Sequence, residues 1–392
     1  MNQVSGTGQL QASIQKALGI KDNHGIRIGG ALVADTNSLF SGGIPNVQRW
    51  TSNGLFLLNA TVDTQKLIGW KGGLFGAEFL QFNGQNTNAQ AGSIQGYNSL
   101  PGPPPLNRSE LYQLWFRQAL FEDKFFIRIG KSVPTIDFNN VIKPVSLKED
   151  KLFIPAVTSL IYTPIFVNSS MLGILPGYYN SAYGITLNFT PIRRWYASYG
   201  VYDGNLAQGK QTGLTGPTFN GSYLHIGETG LAWLFGKFNK PGNIGLGLWH
   251  QSGLVQNGNL SEGGTTGYYL FGTQRLWYRH PSVDTSGISM FYQFGDNSSH
   301  VLSMTKYIGL GFTAFGLMPR RPNDSAGIGT AFSWLNKAIY SRRTEQIIQA
   351  YYQAKIISSI YLEPVLSYIP TPGASPQLNP SWAGTLRLVA LF

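Results

Sequence analysis

The chain has 392 residues, with 12% charged, 13% aromatic, 48 glycines, no cysteine and a formal net charge of +11. Charge at about half the usual share, without a linker or break in composition, excludes a string of ordinary soluble domains. No apolar run reaches the roughly 18 residues of a membrane-crossing helix, which excludes a helical membrane protein.

The basic excess does not point to nucleic acid. Its 29 Lys and Arg are scattered, with doublets only at Arg193–Arg194, Arg320–Arg321 and Arg342–Arg343, and no basic helix accompanies them. Without cysteine, stability falls to closed hydrogen bonding rather than disulfides.

Residues 1–24 lack the charged start, apolar stretch and cleavage site of a signal peptide, so a processed or trimmed start is expected. They form an N-terminal, periplasmic-side segment in which Leu10, Ile14 and Leu18 share one face of a short helix, expected to dock at a mouth of the fold. Alternation then begins. Residues 25–35 set Ile26, Ile28 and Leu32 against Arg27, Gly29 and Asp35, and residues 55–65 set Phe56, Leu58, Ala60 and Val62 against Asn59, Thr61 and Asp63. Residues 74–82 oppose Phe75, Ala77 and Phe79 to Glu78, before a glycine- and asparagine-rich loop over 83–107.

Residues 110–131 read as a hairpin around the turn Glu122, Asp123, Lys124. Tyr112, Leu114, Phe116 and Leu120 are expected on one face, with Gln113, Trp115, Arg117 and Ala119 on the other; in the return run Phe125, Ile127 and Ile129 alternate with Phe126, Arg128 and Gly130. A long loop without clear alternation, 132–178, follows. Beyond it come runs at 180–189, 195–203, 223–235, 244–251, 268–278, 288–295, 307–318, 327–334, 347–356, 361–369 and 382–392, joined by alternately short and long connections.

The count is about sixteen strands, an even number that places both chain termini on the same side. One face of each strand is oily and the other polar: Ile348, Ala350 and Tyr352 against Gln349, Gln353 and Lys355, and Leu386, Leu388 and Phe392 against Thr385 and Arg387. The fold class is therefore all-β, a closed antiparallel transmembrane β-barrel over 25–392 with lipid outside and water within, because an open edge in lipid would leave backbone groups unpaired. The final Phe392 resembles the terminal signal of outer-membrane barrels.

No catalytic or metal constellation emerges. His24, His225, His250, His280 and His300 have no metal-site spacing, and GLGFTAFG at 309–316 lies inside an alternating strand, so neither a metal nor a cofactor is expected. Glu78, Glu110, Asp137, Glu149 and Glu363 leave a glycosidase open only if they converge in space. The readings are a channel, a secreted β-rich carbohydrate-binding protein or glycosidase, and a structural envelope barrel.

Five stretches carry a family resemblance: VDTQKLIGWKGGLF at 62–75, GQN at 84–86, the 110–131 hairpin with Asp137 and Phe138 after it, LMPRRPND at 317–324, and the C-terminal Phe. In order and spacing they resemble the carbohydrate-selective porins of the OprB type, from about Leu10 to Phe392. The resemblance implies an outer-membrane, non-enzymatic, monomeric sixteen-stranded channel for monosaccharides, a trimer being the alternative, narrowed by two extracellular loops.

That family's constriction uses two arginines and a glutamate to pair with sugar hydroxyls. By alignment the first arginine falls on Phe82, the glutamate on Gly96 after Ser93 and Gln95, and the second arginine within Asn98, Ser99, Leu100 and Pro101. Substitutes are expected among Arg108, Glu110, Trp115, Arg117, Arg128 and the cluster Lys148, Glu149, Asp150, Lys151, with Phe82 and Trp115 as aromatic surfaces. The partners expected are monosaccharides or similar small polar solutes and outer-membrane lipid. Lumen arginines predict a mild preference for anions, admission of monosaccharides without tight binding, and a pore size set by the 132–178 loop.

Overall fold

The computed structural model describes residues 25–100, 107–138, 159–162, 174–177, 180–192, 194–208, 215–281, 283–357 and 359–392. The expected helix at residues 10–18 and the Lys148–Lys151 cluster lie outside them. In chain order the strands are β1 (Ile26–Ser41), β2 (Trp50–Asp63), β3 (Gly73–Gly84), β4 (Arg108–Leu120), β5 (Phe125–Ser132), β6 (Ala182–Ile192), β7 (Trp195–Asp203), β8 (Tyr223–Phe235) and β9 (Lys240–Gln251). There follow β10 (Val255–Asn257), β11 (Leu260–Glu262), β12 (Thr265–Tyr278), β13 (Gly287–Asn297), β14 (Met304–Phe315), β15 (Ser325–Leu335), β16 (Thr344–Ile357), β17 (Ile360–Ile369) and β18 (Ser381–Leu391). Two short helices, α1 (Thr64–Ile68) and α2 (Thr87–Gln90), sit in connections.

Sixteen of these strands close into one antiparallel barrel, β1 pairing with both β2 and β18, while β10 and β11 form a separate hairpin in a loop. Each expected strand is present. The β1 strand runs on to Ser41, past the expected end at Asp35, because Asn37 and Leu39 continue the alternation toward the interior. The β10–β11 hairpin was not expected, being too short to show a period. At the seam the Gly30 amide donates to the Phe392 carbonyl at 2.7 Å, the Phe392 amide returns a bond at 3.0 Å, and the Phe392 ring stacks on Phe56.

Connections alternate in length around the two rims. One rim carries the short links 121–124, 193–194, 236–239 and 358–359, with somewhat longer ones at 64–72, 279–286 and 316–324; the other carries 85–107, 133–181 and 204–222. In the first, Asp63 caps α1 by accepting from the Gln65 and Lys66 amides, and Gly69 ends it in the left-handed region. Outward faces are apolar, with Leu58, Leu114, Ile129, Ile185, Leu246, Leu248, Leu310 and Ile328 exposed. Exposed aromatics sit near both rims: Phe40, Trp50 and Trp382 toward the long loops, and Trp70, Phe121, Phe235 and Trp277 toward the short links. An apolar band between aromatic girdles is the outer surface of a transmembrane barrel, where lipid takes the place of water.

One face assignment needs correcting. Tyr112, expected among the oily outward residues, is buried inside with Leu55, Leu80, Phe82, Leu100 and Val133. The cause is a β-bulge: Glu78 pairs with Gln113 but Phe79 pairs with Leu111, so Tyr112 is the extra residue and the period slips by one. A second irregularity follows Pro364, which lacks an N–H; the β16–β17 pairs stop at Tyr351↔Val365 and resume at Ala354↔Leu362. Gln353 Nε2 bridges the gap to Glu363 Oε2 at 2.8 Å.

The barrel also has an apolar core within it. Tyr202, Trp249, Tyr269, Phe271, Phe291 and Tyr307 project inward, essentially without solvent exposure, and pack with Tyr97, Phe138, Leu160, Ile161 and Tyr162 from the loops. Glycine makes room for these rings. A Cβ at Gly247 would lie 2.1 Å from the Tyr269 ring, and one at Gly245 would lie 2.3 Å from the Phe271 ring. The buried Glu228 carboxylate accepts from the Tyr196 and Tyr269 hydroxyls at 2.7 and 2.5 Å, joining β7, β8 and β12 through side chains.

Candidate functional site

The lumen is narrowed by chain that enters it from the long-loop rim. In the 85–107 connection α2 is capped by Asn86, and the Thr87 hydroxyl meets Thr51 Oγ1 and Asn53 Nδ2 at 2.8 Å each, fixing the loop to β2. The loop then reaches the wall formed by β15–β18. Glu345 of β16 receives the Ser93 hydroxyl and the Ile94 and Gln95 amides, each at 2.8 Å, and the Gly373 amide at 2.6 Å. One buried carboxylate thus gathers four donors, three of them from the entering loop. Charge-assisted bonds in a buried setting are stronger than neutral ones and costly to leave unmade.

Two further anchors lie below it. Asn98 Nδ2 donates to Asp35 Oδ2 and Asn37 Oδ1 at 2.8 Å each, while Arg387 grips Asp35 with two bonds of 2.8 and 2.7 Å. Gln349 joins both entering loops: its Oε1 accepts from the Ile161 and Tyr162 amides at 2.6 and 3.1 Å, and its Nε2 donates to the Tyr97 carbonyl at 3.0 Å. The Ser99 amide bonds the Ile161 carbonyl at 2.6 Å, so the loops also touch directly. Burial, with a contribution from Asp35, pushes the Tyr97 phenol above its usual range, and burial does the same for Tyr162. Both phenols therefore stay neutral in the plug. Beneath this assembly a cavity of about 310 Å³ is lined by Gln353, Tyr361, Glu363 and Arg387, among others.

The opposite wall carries the residues singled out in the sequence. Arg108 Nε bonds Glu110 Oε1 at 2.8 Å, and Lys131 Nζ lies 3.8 Å from Glu110 Oε2 while donating to the Leu111 carbonyl at 2.8 Å. Arg117 and Arg128 are direct cross-strand partners. Arg128 pairs with Asp137 and lies 5.5 Å from the Trp115 ring centroid; Arg117 lies 5.1 Å from that of Phe126. The structure thus brings Glu110, Trp115, Arg117 and Arg128 onto one inner face with Arg108. Phe82 is placed elsewhere, since at 0% exposure it is packed beneath the entering loop and presents no surface to a solute. Among the described residues no group of His, Asp and Glu could hold a metal ion.

Sequence reasoning missed the anchors Glu345, Gln349 and Asn98. A signal was present for the first two, which are polar residues on the inward register of β16. Nothing in the sequence showed what they hold.

A closed barrel with a lipid-compatible exterior, charged groups within and loops entering from one rim is a diffusion channel of an outer membrane. Residues 49–392 match the family described as carbohydrate-selective porin, OprB family, and the chain belongs to that family. It is an outer-membrane porin through which carbohydrates diffuse, a channel fold rather than that of an enzyme. Porin B of Pseudomonas aeruginosa is 22% identical over 392 residues, covering 86% of this chain and 81% of that protein. The high-pH structure of Pseudomonas putida OprB superposes with a TM-score of 0.80 at 17% identity, covering 97% of each chain. The outer membrane channel DcaP of Acinetobacter baumannii shares the barrel more distantly, with a TM-score of 0.53 at 7% identity over 94% of this chain and 97% of that one.

Proposed function

We propose that this porin passes monosaccharide-sized solutes without tight binding, through a lumen whose width is set by two entering loops. The supporting observation is the Glu345 and Gln349 anchorage, which holds residues 93–97 and 161–162 against the β15–β18 wall. A sixteen-stranded barrel without such loops leaves an aqueous channel too wide to discriminate among small sugars. The 132–178 connection is the constriction loop in this reading, supported by the packing of Phe138, Leu160, Ile161 and Tyr162 within the barrel. Arg108, Glu110, Trp115, Arg117 and Arg128 line the route opposite. One barrel surrounds the whole route, so a monomer suffices for passage.

Weak binding follows from the pairing already present. Arg108, Lys131, Arg128 and Arg387 are each engaged by a carboxylate, so a neutral sugar must compete with an existing ion pair for its hydroxyl contacts. Liposome swelling with sugars of increasing size tests the proposal. Glucose should enter readily and a trisaccharide slowly. Equal rates would refute a loop-set width.

A further inference from the structure

We infer that Arg117 makes the lumen favour sugars that carry a carboxylate over neutral ones. Arg117 stands directly across from Arg128 on the inner face of β4 and β5, a like-charge cross-strand pair that costs stability unless something compensates it. Arg128 is compensated by Asp137. The Arg117 guanidinium lies against the face of Phe126 and its Nε has no hydrogen-bond partner; Asp123 and Asp137 act on it through space, but among the described residues it forms no ion pair. The neighbouring lumen cations differ, because Arg108 and Lys131 share Glu110 and Arg387 holds Asp35.

A guanidinium offers a planar fork that matches a single carboxylate with two parallel hydrogen bonds. The surroundings suit the rest of a sugar. Trp115 and Phe126 supply aromatic surface, and Asn188 and Ser198, joined at 2.6 Å, lie on the inward registers of β6 and β7. Of the nearby carboxylates, Asp137 is held by Arg128 and Glu78 by Gln113 Nε2 at 2.8 Å, while Asp123 acts on Arg117 from the adjoining turn without pairing with it. The inference rests on the carbohydrate-channel reading and adds the charge class of the preferred solute.

Glucuronate and glucose, alike in ring and size, are the probes. Uptake into liposomes carrying the full chain should favour glucuronate by roughly fivefold at low salt, the net range of one hydrogen bond in a water-filled lumen. The ratio should fall toward one in R117Q, recover in part in R117K, which restores charge without the fork, and shrink in the wild type as salt screens the field. K337Q, in an outer connection, should keep the wild-type ratio. A wild-type ratio at or below one, or a ratio unchanged in folded R117Q, overturns the inference while leaving the channel intact. Exclusion of both sugars by conducting wild-type protein would instead overturn the carbohydrate reading itself. The salt series needs no variant, so it tests the inference even if R117Q does not fold.

Discussion

The Ser93 hydroxyl donates to Glu345 Oε1 at 2.8 Å across 252 residues of sequence, fastening the first entering loop to the far wall of the barrel. Replacing Glu345 with alanine leaves the Ser93, Ile94, Gln95 and Gly373 donors without an acceptor. Loss of this anchor should cost the loop's docked state roughly 3 kcal/mol. Single-channel conductance in planar bilayers should rise and become noisier, with E345Q showing a smaller change. A quiet, unaltered channel would show that other contacts suffice.

Gln349 should act on both loops together. In Q349L the Ile161 and Tyr162 amides lose their acceptor and the Tyr97 carbonyl its donor, whereas the wall keeps a side chain of similar size. The swelling assay should then admit larger sugars than the wild type. Combining Q349L with E345A should give less than the sum of the two effects, since both release the same loop.

The rims can be assigned by labelling, helped by the absence of cysteine in the chain. Cysteine at Lys337, in the 336–343 connection on the long-loop rim, should react with an impermeant maleimide on intact cells. Cysteine at Asp123, in the short 121–124 turn, should react only after lysis, because outer-membrane barrels keep short turns on the periplasmic side. The reverse pattern would invert the proposed orientation.

Gly247 should be among the wall positions least tolerant of a side chain. A methyl group there meets the Tyr269 ring at 2.1 Å, and moving that ring breaks its bond to Glu228. G247A should destabilise the barrel by about 1–3 kcal/mol, read as an earlier urea midpoint for folding into bilayers. G247A combined with Y269L, which removes the clash, should recover part of the loss.

The turn over 316–324 should give the barrel an acid-sensitive corner. Burial alone would raise the Asp324 carboxyl, but bonds from Tyr352, Arg321 and the Lys355 amide outweigh it and hold it below the usual carboxylate range. A carboxyl depressed in the folded state contributes stability that is present above its unfolded value and lost as pH falls through the folded one. Unfolding of the wild type should therefore become easier below about pH 4, where D324N should show a flatter dependence.

How much of this was legible in the sequence depends on distance along the chain. Strand number and facing were legible because a period of two is a local property, as in Phe125 to Gly130. The face of Tyr112 was not, because a one-residue bulge depends on how β3 and β4 are paired and leaves no mark on composition. Arg117 and Arg128 could be placed on an inward face, but their direct pairing is a matter of register. Phe82 was expected where the family's arginine falls, as a surface for solutes, yet only the folded chain shows it beneath a loop. The Glu345 anchor was hidden for the same reason, since three of its four donors lie some 250 residues upstream.

The seam between β1 and β18 sets a timetable for biogenesis. Arg387 reaches Asp35 across 352 residues, and the edge of β1 that faces away from β2 finds its partners, for Ala31 to Ser41, only between Trp382 and Leu391. While the chain is being delivered to the membrane, β1 has one bare edge, and no portion of the sequence short of β18 can cover it. Sealing is thus a late event that depends on the whole chain having arrived, and a prematurely released product would keep an open edge that hydrocarbon cannot solvate. Such a product should linger with chaperones or be degraded, which makes geometry itself a checkpoint on the integrity of the chain.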